Sequence, residues 1–318
     1  ESVLTRMNRL CPNMKIIAVS ATIPNIADIA TWLRDYQTNE HALFLEYNES
    51  YRAVQLEKHV IGYPMSSNND FQAESTYTSR IPSIVEKYSN AKPVLIFCST
   101  RNSASITAKY MAKNYSRAKN KINGLADEVS ESQLKECCKH GVAYHHAGLS
   151  YSDRKLVEKM FLTGSVEILC STSTLAVGVN LPAYLVIIKG TKMWNFSGYK
   201  EYSELDVLQM IGRAGRPQFE TSGCAVIMTS HENQERYDKL LSGTENLESS
   251  LHLNLAEHIC AEIELGTIES RESALEWMEH TFLYTRFKRN PQFYKLKGSN
   301  SASPDSVLRV LCEEVIEK

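Results

Sequence analysis

The 318-residue chain contains no C-x-x-C pair; its eight cysteines lie scattered at 11, 98, 137, 138, 170, 224, 260 and 312. That spacing excludes the usual structural zinc frameworks, and no metal site is expected from it. Cys98, Cys170 and Cys224 fall inside apolar runs and read as small buried hydrophobes, a usage that fits a reducing compartment, cytosol or nucleus. No apolar run approaches the length of a transmembrane helix and no secretory signal opens the chain, so no membrane contact is expected. Charge of one sign is also lacking. Lys and Arg number 35 against 37 Asp and Glu, a net charge of -2. Any nucleic-acid contact must therefore use a local basic surface and not the field of the whole molecule. No G-x-x-x-x-G-K-[ST] phosphate loop occurs. The chain begins without Met, within a helical pattern, and reads as a fragment.

What is present is ordinary for globular protein: 43% hydrophobic and 23% charged residues, enough for one large domain or two smaller ones. Val3, Leu4, Met7 and Leu10 follow helical spacing. Lys15–Thr22 predicts a strand ending in small hydroxyl residues, Asn25 starts a helix through Leu33, and Leu43–Leu45 predicts a further strand. Residues 1–46 thus form a strand–helix–strand piece too small to bury a core of its own. Residues 47–76 are a polar connector with an edge strand near Val54–Val60. From Thr78 the alternation is regular. The runs at Pro93–Cys98, Val142–His145, Val166–Cys170, Leu185–Ile188 and Cys224–Met228 predict buried strands, with helices between them. This is an α/β domain with a parallel sheet, spanning 47–230. Residues 231–318 are dominated by helical patterns and read as a separate module.

The stretch Gln209–Pro217 carries two arginines three residues apart, Arg213 and Arg216, among Gly212, Ala214 and Gly215. On a helical turn both share a face, with Gln209 on the same side. Two guanidiniums and an amide suit a polyphosphate, because the guanidinium fork matches phosphate oxygens; two surface arginines at a helix end are the plainer alternative. Loops after three other strands carry Ser99–Arg101, His145–Gly148 and Ser171–Asn180. In a parallel sheet these loops and the arginine helix are expected along one edge, a phosphate-binding edge. Arg101 is a phosphate contact or a solvated cap. His145 and His146 read as structural, since no carboxylate or cysteine sits at ligand spacing. Residues 189–203 predict a hairpin whose Trp194, Phe196 and Tyr199 either stack on bases or pack on the helical module.

Five motifs, in order, carry a resemblance: Ser20-Ala-Thr22, Ile96–Arg101, Tyr144–Gly148, Thr172–Pro182 and Gln209–Pro217. The chain resembles the superfamily-two helicases of the Ski-two-like class. Glu201–Phe219 and Thr281–Pro291 look most like the meiotic crossover DNA helicases of the Mer-three type. The resemblance implies a RecA-like fold. Residues 1–46 would be the C-terminal end of a first RecA-like domain, 47–230 the second, and 231–318 an incomplete winged-helix module. It implies that Ser20 and Thr22 couple hydrolysis to strand movement, that Arg101 and Thr172 touch the nucleic-acid backbone, and that Gly178 and Asn180 link ATP to the bound strand. Gln209, Arg213 and Arg216 would face the ATP phosphates, with the arginines as fingers, and residues 189–203 would be the strand-separating hairpin.

The family's phosphate loop and the Asp-Glu pair of its Mg²⁺ motif precede the position of Ser20 and have no counterpart here. Residues 1–318 alone are therefore expected to lack ATPase activity and to bind no nucleotide tightly. The implied function of the longer protein is an ATP-driven 3′-to-5′ DNA helicase, using ATP and Mg²⁺, acting on single-stranded and branched DNA in meiotic recombination in the nucleus, with recombination proteins as partners. The alternatives are the same engine acting on RNA in splicing or RNA decay, and a non-catalytic cassette that binds partners. The intact Arg213 and Arg216 argue against the cassette.

Overall fold

The structure is a computed structural model. It describes residues 1–11, 13–20, 23–35, 38–47, 51, 54–64, 70–115, 124–173, 175, 181–195, 198–215, 220–243, 246–296 and 303–316, the side chains of 70, 71 and 195 excepted. Contacts divide the chain into two compact units, Glu49–Ser242 and the pair of segments Glu1–Asn48 and Gly243–Lys318.

The larger unit is built on six parallel strands: β1 (Gln55–Tyr63), β2 (Val94–Cys98), β3 (Val142–His145), β4 (Ile168–Thr172), β5 (Leu185–Lys189) and β8 (Ser222–Ser230), in the order β1-β8-β5-β2-β4-β3. β6 (Lys192–Asn195) and β7 (Gly198–Glu201) form a separate antiparallel hairpin. Central strands are apolar at almost every position because helices cover both faces; β2 and β5 are buried throughout. The covering helices are α3 (Asp70–Tyr88), α4 (Arg101–Asn114), α5 (Ser132–Lys139), α6 (Tyr151–Leu162), α7 (Glu204–Ile211) and α8 (His231–Ser242), with α1 (Ser2–Leu10) and α2 (Ile26–Trp32) preceding them in the chain. Local chemistry sets their starts. Thr100, Ser150 and Ser203 each accept a hydrogen bond from the backbone N–H three residues on, at 3.0, 3.0 and 3.1 Å.

The sheet unit runs on through α8, because Tyr237 and Leu240 are buried in its core and the helix packs on β1 and β8. Residues 231–242 therefore group with the sheet and not with the helical module that was expected to begin at 231.

The smaller unit contains α1, α2, α9 (Leu255–Glu264), α10 (Arg271–Glu279), α11 (Phe282–Arg289), α12 (Pro291–Tyr294) and α13 (Pro304–Ile316). Its core gathers Leu255, Ile259, Trp277, Leu283, Phe287 and Leu308. The first segment is tied to the second by charge. Arg286 pairs with Asp28 and, at 2.6 Å, with Glu248; Arg6 pairs with Glu262 at 2.7 Å. The expected strands at Lys15–Thr22 and Leu43–Leu45 are not formed among the described residues. Ile17, Val19 and Leu43 are about nine-tenths exposed (90, 93 and 91%). Extended apolar segments without sheet neighbours have no ladder to join, so the β-rich pattern is present without the strand.

Candidate nucleotide and nucleic-acid surfaces

At the carboxyl ends of the central strands, register places Cys98 opposite both Thr172 and Lys189. The loop to Arg101 and the half-buried Thr172 are therefore neighbours. Thr100 caps α4 and leaves Arg101 as its exposed first residue. Beneath this surface lies a buried polar cluster that sequence reasoning missed. Lys189 is 1% exposed, and its Nζ lies 2.6 Å from Glu74 Oε2. It also donates to Ser103 Oγ at 3.1 Å and Thr107 Oγ1 at 2.9 Å. Glu74 in turn accepts from Ser103 Oγ at 2.9 Å and from Ser99 Oγ. One ion pair, buried at Lys189 and half-buried at Glu74, thus joins α3, α4, the Ser99 loop and the end of β5. Its only sequence signal is a lysine closing an apolar strand.

The two histidines play separate parts. His145 is buried, with Nε2 3.2 Å from Glu158 Oε1, and Lys155 completes the pair at 2.6 Å from Glu158 Oε2. Burial pushes His145 below the ordinary histidine range, against the pull of Glu158. His146 is also held down, by burial and then by the charge of Arg101. Its Nδ1 accepts from Gly148 N–H at 3.2 Å, which leaves Nε2–H for Ser105 Oγ at 3.3 Å. Both arrangements are structural, as expected.

The hairpin rises directly after Lys189. Trp194 pairs across the ladder with Tyr199, ring centroids 5.2 Å apart and nearly perpendicular, and remains 55% exposed. At its base Glu201 accepts from Tyr237 Oη at 2.6 Å and Asn233 Nδ2 at 3.2 Å, anchoring the hairpin to α8. Phe196 lies outside the described residues.

The arginine motif is elsewhere, and this corrects the expectation of a single edge. α7 starts near the carboxyl ends but runs back across the sheet, so its C-terminal residues reach the amino-terminal side of β5. There Ala183 N–H donates to Arg213 O at 3.1 Å and Gly215 N–H donates to Ala183 O at 2.7 Å. Gln209 is exposed on α7 and Arg213 is half-buried. Gly215 has φ +89°, and a Cβ there would meet Val54 Cγ1 at 2.5 Å; a Cβ on Gly223 would meet Gly215 N at 2.6 Å. Only glycine permits that approach of three chain segments. Ala183, just beyond the Thr172–Pro182 motif, is thereby brought beside Arg213. Arg216, Gly178 and Asn180 lie outside the described residues, as does Thr22. Ser20 is exposed in the smaller unit.

Two family models match the chain: a helicase conserved C-terminal domain over residues 77–218 and a winged helix-turn-helix domain over 248–317. The chain is 52% identical, over all of its length, to a Saccharomyces cerevisiae protein named ATP-dependent DNA helicase MER3. It is 44% identical over 94% of its length to a Xenopus tropicalis protein named probable ATP-dependent DNA helicase HFM1. It is 36% identical over 99% of its length to an Arabidopsis thaliana protein named DExH-box ATP-dependent RNA helicase DExH12. The chain spans 27, 23 and 15% of these proteins respectively, about a quarter of the first two. With a parallel RecA-like sheet, the motifs in order along the sequence and a winged-helix domain following in the chain, the chain belongs to the Ski-two-like superfamily-two helicases, beside the MER3 and HFM1 proteins.

Proposed function

We propose that this chain is the second motor domain of an ATP-driven 3′-to-5′ DNA helicase acting on recombination intermediates in the nucleus during meiosis, followed by its winged helix. The observation that carries the reading is the seating of Arg213. Paired backbone hydrogen bonds to Ala183 fix the backbone of its loop, and exposed Gln209 lies four residues before it near the end of α7. A fixed donor set of this kind suits ATP phosphates. Arg213 and Arg216 act as fingers, Gln209 orients the phosphates, and Gly178 and Asn180 connect this surface to the bound strand. On the carboxyl edge, Arg101 and Thr172 contact the backbone, while Trp194 and Phe196 stand at the point of strand separation.

Residues 1–46 form the end of a first RecA-like domain, with Ser20 and Thr22 as coupling residues. The exposed Ile17, Val19, Leu43 and Leu45 support this, since such residues need a sheet to join. ATP carries Mg²⁺, bound by carboxylates of the family's Asp-Glu motif, which the resemblance places ahead of the position of Ser20. DNA is the primary partner, single-stranded or branched, with recombination proteins as further partners.

The likeness to a protein named as an RNA helicase favours a second reading, the same motor on RNA. Backbone contacts do not separate the two, because discrimination rests on 2′-hydroxyl contacts. ATP hydrolysis by the whole protein on matched single-stranded DNA and RNA, at fixed salt, tests the choice. DNA-selective stimulation is expected. RNA-selective stimulation would overturn the DNA reading, and no stimulation by either would leave a partner-binding cassette.

A further inference from the structure

β1 and β8 pair in parallel with Glu57 opposite Cys224. Residues two apart on a strand face the same side, so Glu57, His59 and Cys224 share the face of the sheet that meets α3. There one ligand atom from each residue, a carboxylate oxygen, an imidazole nitrogen and Sγ, lies within 4.8 Å of the others. His59 Nε2 is 2.7 Å from Glu57 Oε1, and the ring of Tyr88, at the end of α3, backs His59 with centroids 4.6 Å apart. Burial is graded. Cys224 is fully buried, His59 is half-buried and Glu57 is exposed. β1 is an edge strand, so the cluster has a path to solvent.

We propose that Glu57, His59 and Cys224 form a binding site for one transition-metal dication of the zinc class, with water in the fourth position. Thiolate, imidazole and carboxylate are the zinc donors, and around a tetrahedral ion they stand about 3.5 Å apart. The His59–Glu57 pair, now hydrogen-bonded at 2.7 Å, opens to that spacing around an ion, and the three ligand atoms already lie within 4.8 Å of one another. Calcium and magnesium are disfavoured, since they take six or more oxygen ligands, waters included. Without an ion, the surroundings hold the thiol protonated. Burial, with the charge of Glu57 added, pushes the Cys224 thiol up to about 12. A dication reverses that balance. Sulfur forms a bond to the metal, the S–H bond breaks, and the proton leaves to solvent. The neighbouring cation is Lys87, over the Tyr88 ring at 4.8 Å on an exposed side chain that can swing away.

The bound ion would clamp β1 to β8 a few residues from Val54 and Gly223, the two contacts on which the Gly215 turn rests. It would thus stiffen the seat of Arg213 without taking part in the chemistry.

Titration of the chelator-treated 318-residue chain with Co²⁺ alone tests the site. One equivalent should produce tetrahedral d–d bands and a thiolate-to-cobalt charge-transfer band, both displaced by Zn²⁺. Cys224→Ala should abolish the charge-transfer band. His59→Phe, which keeps the packing on Tyr88, should weaken binding by more than about tenfold. Replacing the two exposed cysteines together, Cys11→Ser with Cys260→Ser, should change nothing. The inference is overturned if the wild-type chain gives no thiolate band, if the band survives Cys224→Ala, or if His59→Phe binds as tightly as the wild type.

Discussion

Lys189 is where the sheet unit is most exposed to a single change. Its ammonium is buried and paired to Glu74, with Ser103 and Thr107 taking its remaining protons. Removing one member of a fully buried pair costs about 3–5 kcal/mol, and the half-buried Glu74 left behind here keeps some water, so the cost falls toward or below the lower end of that range. Lys189→Met should lower the urea midpoint of the chain accordingly, and Lys189→Met with Glu74→Gln should recover a large part of the loss. Equal destabilisation by the single and double variants would mean that the pair is not a unit. The histidines give a pH dependence with a defined sign. His145 and His146 titrate below the ordinary value of about 6.5, which they regain on unfolding. Below that pH the unfolded chain binds more protons, so stability falls as pH drops through about 6.5 toward the folded values. Urea unfolding should show a lower midpoint at pH 5.5 than at pH 7.5, with a smaller difference in His145→Gln. A midpoint that rises on acidification would be inconsistent with neutral buried imidazoles.

Among the elements, the hairpin β6–β7 is a platform held at its base by Glu201 and open at Trp194. Its ring is braced by Tyr199 and presents a face for stacking. Base–aromatic stacking is worth about 1–3 kcal/mol per base. Trp194→Ala should therefore weaken single-strand binding or unwinding by roughly 5- to 150-fold while leaving the fold intact, measured by DNA titration beside thermal unfolding. Unchanged binding would assign Trp194 to packing alone.

The elements themselves were largely legible. Val94–Cys98 and Leu185–Ile188 are unbroken apolar runs of strand length, which is the pattern a strand takes when both faces of its sheet are covered. The edge on which Arg213 sits was not legible. Strand positions and helix starts are written locally, but α7 returns to the amino-terminal side before Arg213 is reached, and only the pairing of Ala183 with Ala214 reveals it. The Lys189–Glu74 pair and the Glu57–His59–Cys224 cluster were hidden for the same reason. Their partners are brought together by strand register and helix packing, and local spacing rules do not see them. At Lys15–Thr22 the pattern predicted a strand that, among the described residues, has no neighbour to pair with.

Over the whole molecule, two units carry different kinds of interaction. The sheet unit presents Arg101 and Thr172 on one edge and Arg213 on the other, joined through β4, β5 and the Thr172–Pro182 motif. The winged-helix unit is held by buried ion pairs from Arg286. With a net charge of -2, the proposed nucleic-acid contact has to rest on local surfaces and not on the field of the whole molecule. The proposed motor function depends above all on the Arg213 loop facing the phosphates of ATP. Single-strand-stimulated ATP hydrolysis by the whole protein, wild type against Arg213→Ala, reads that placement without an intermediate step. Turnover should fall by about 10³–10⁵-fold with DNA affinity unchanged. Turnover within a few-fold of wild type would refute the placement and return Arg213 to the role of a surface arginine at a helix end.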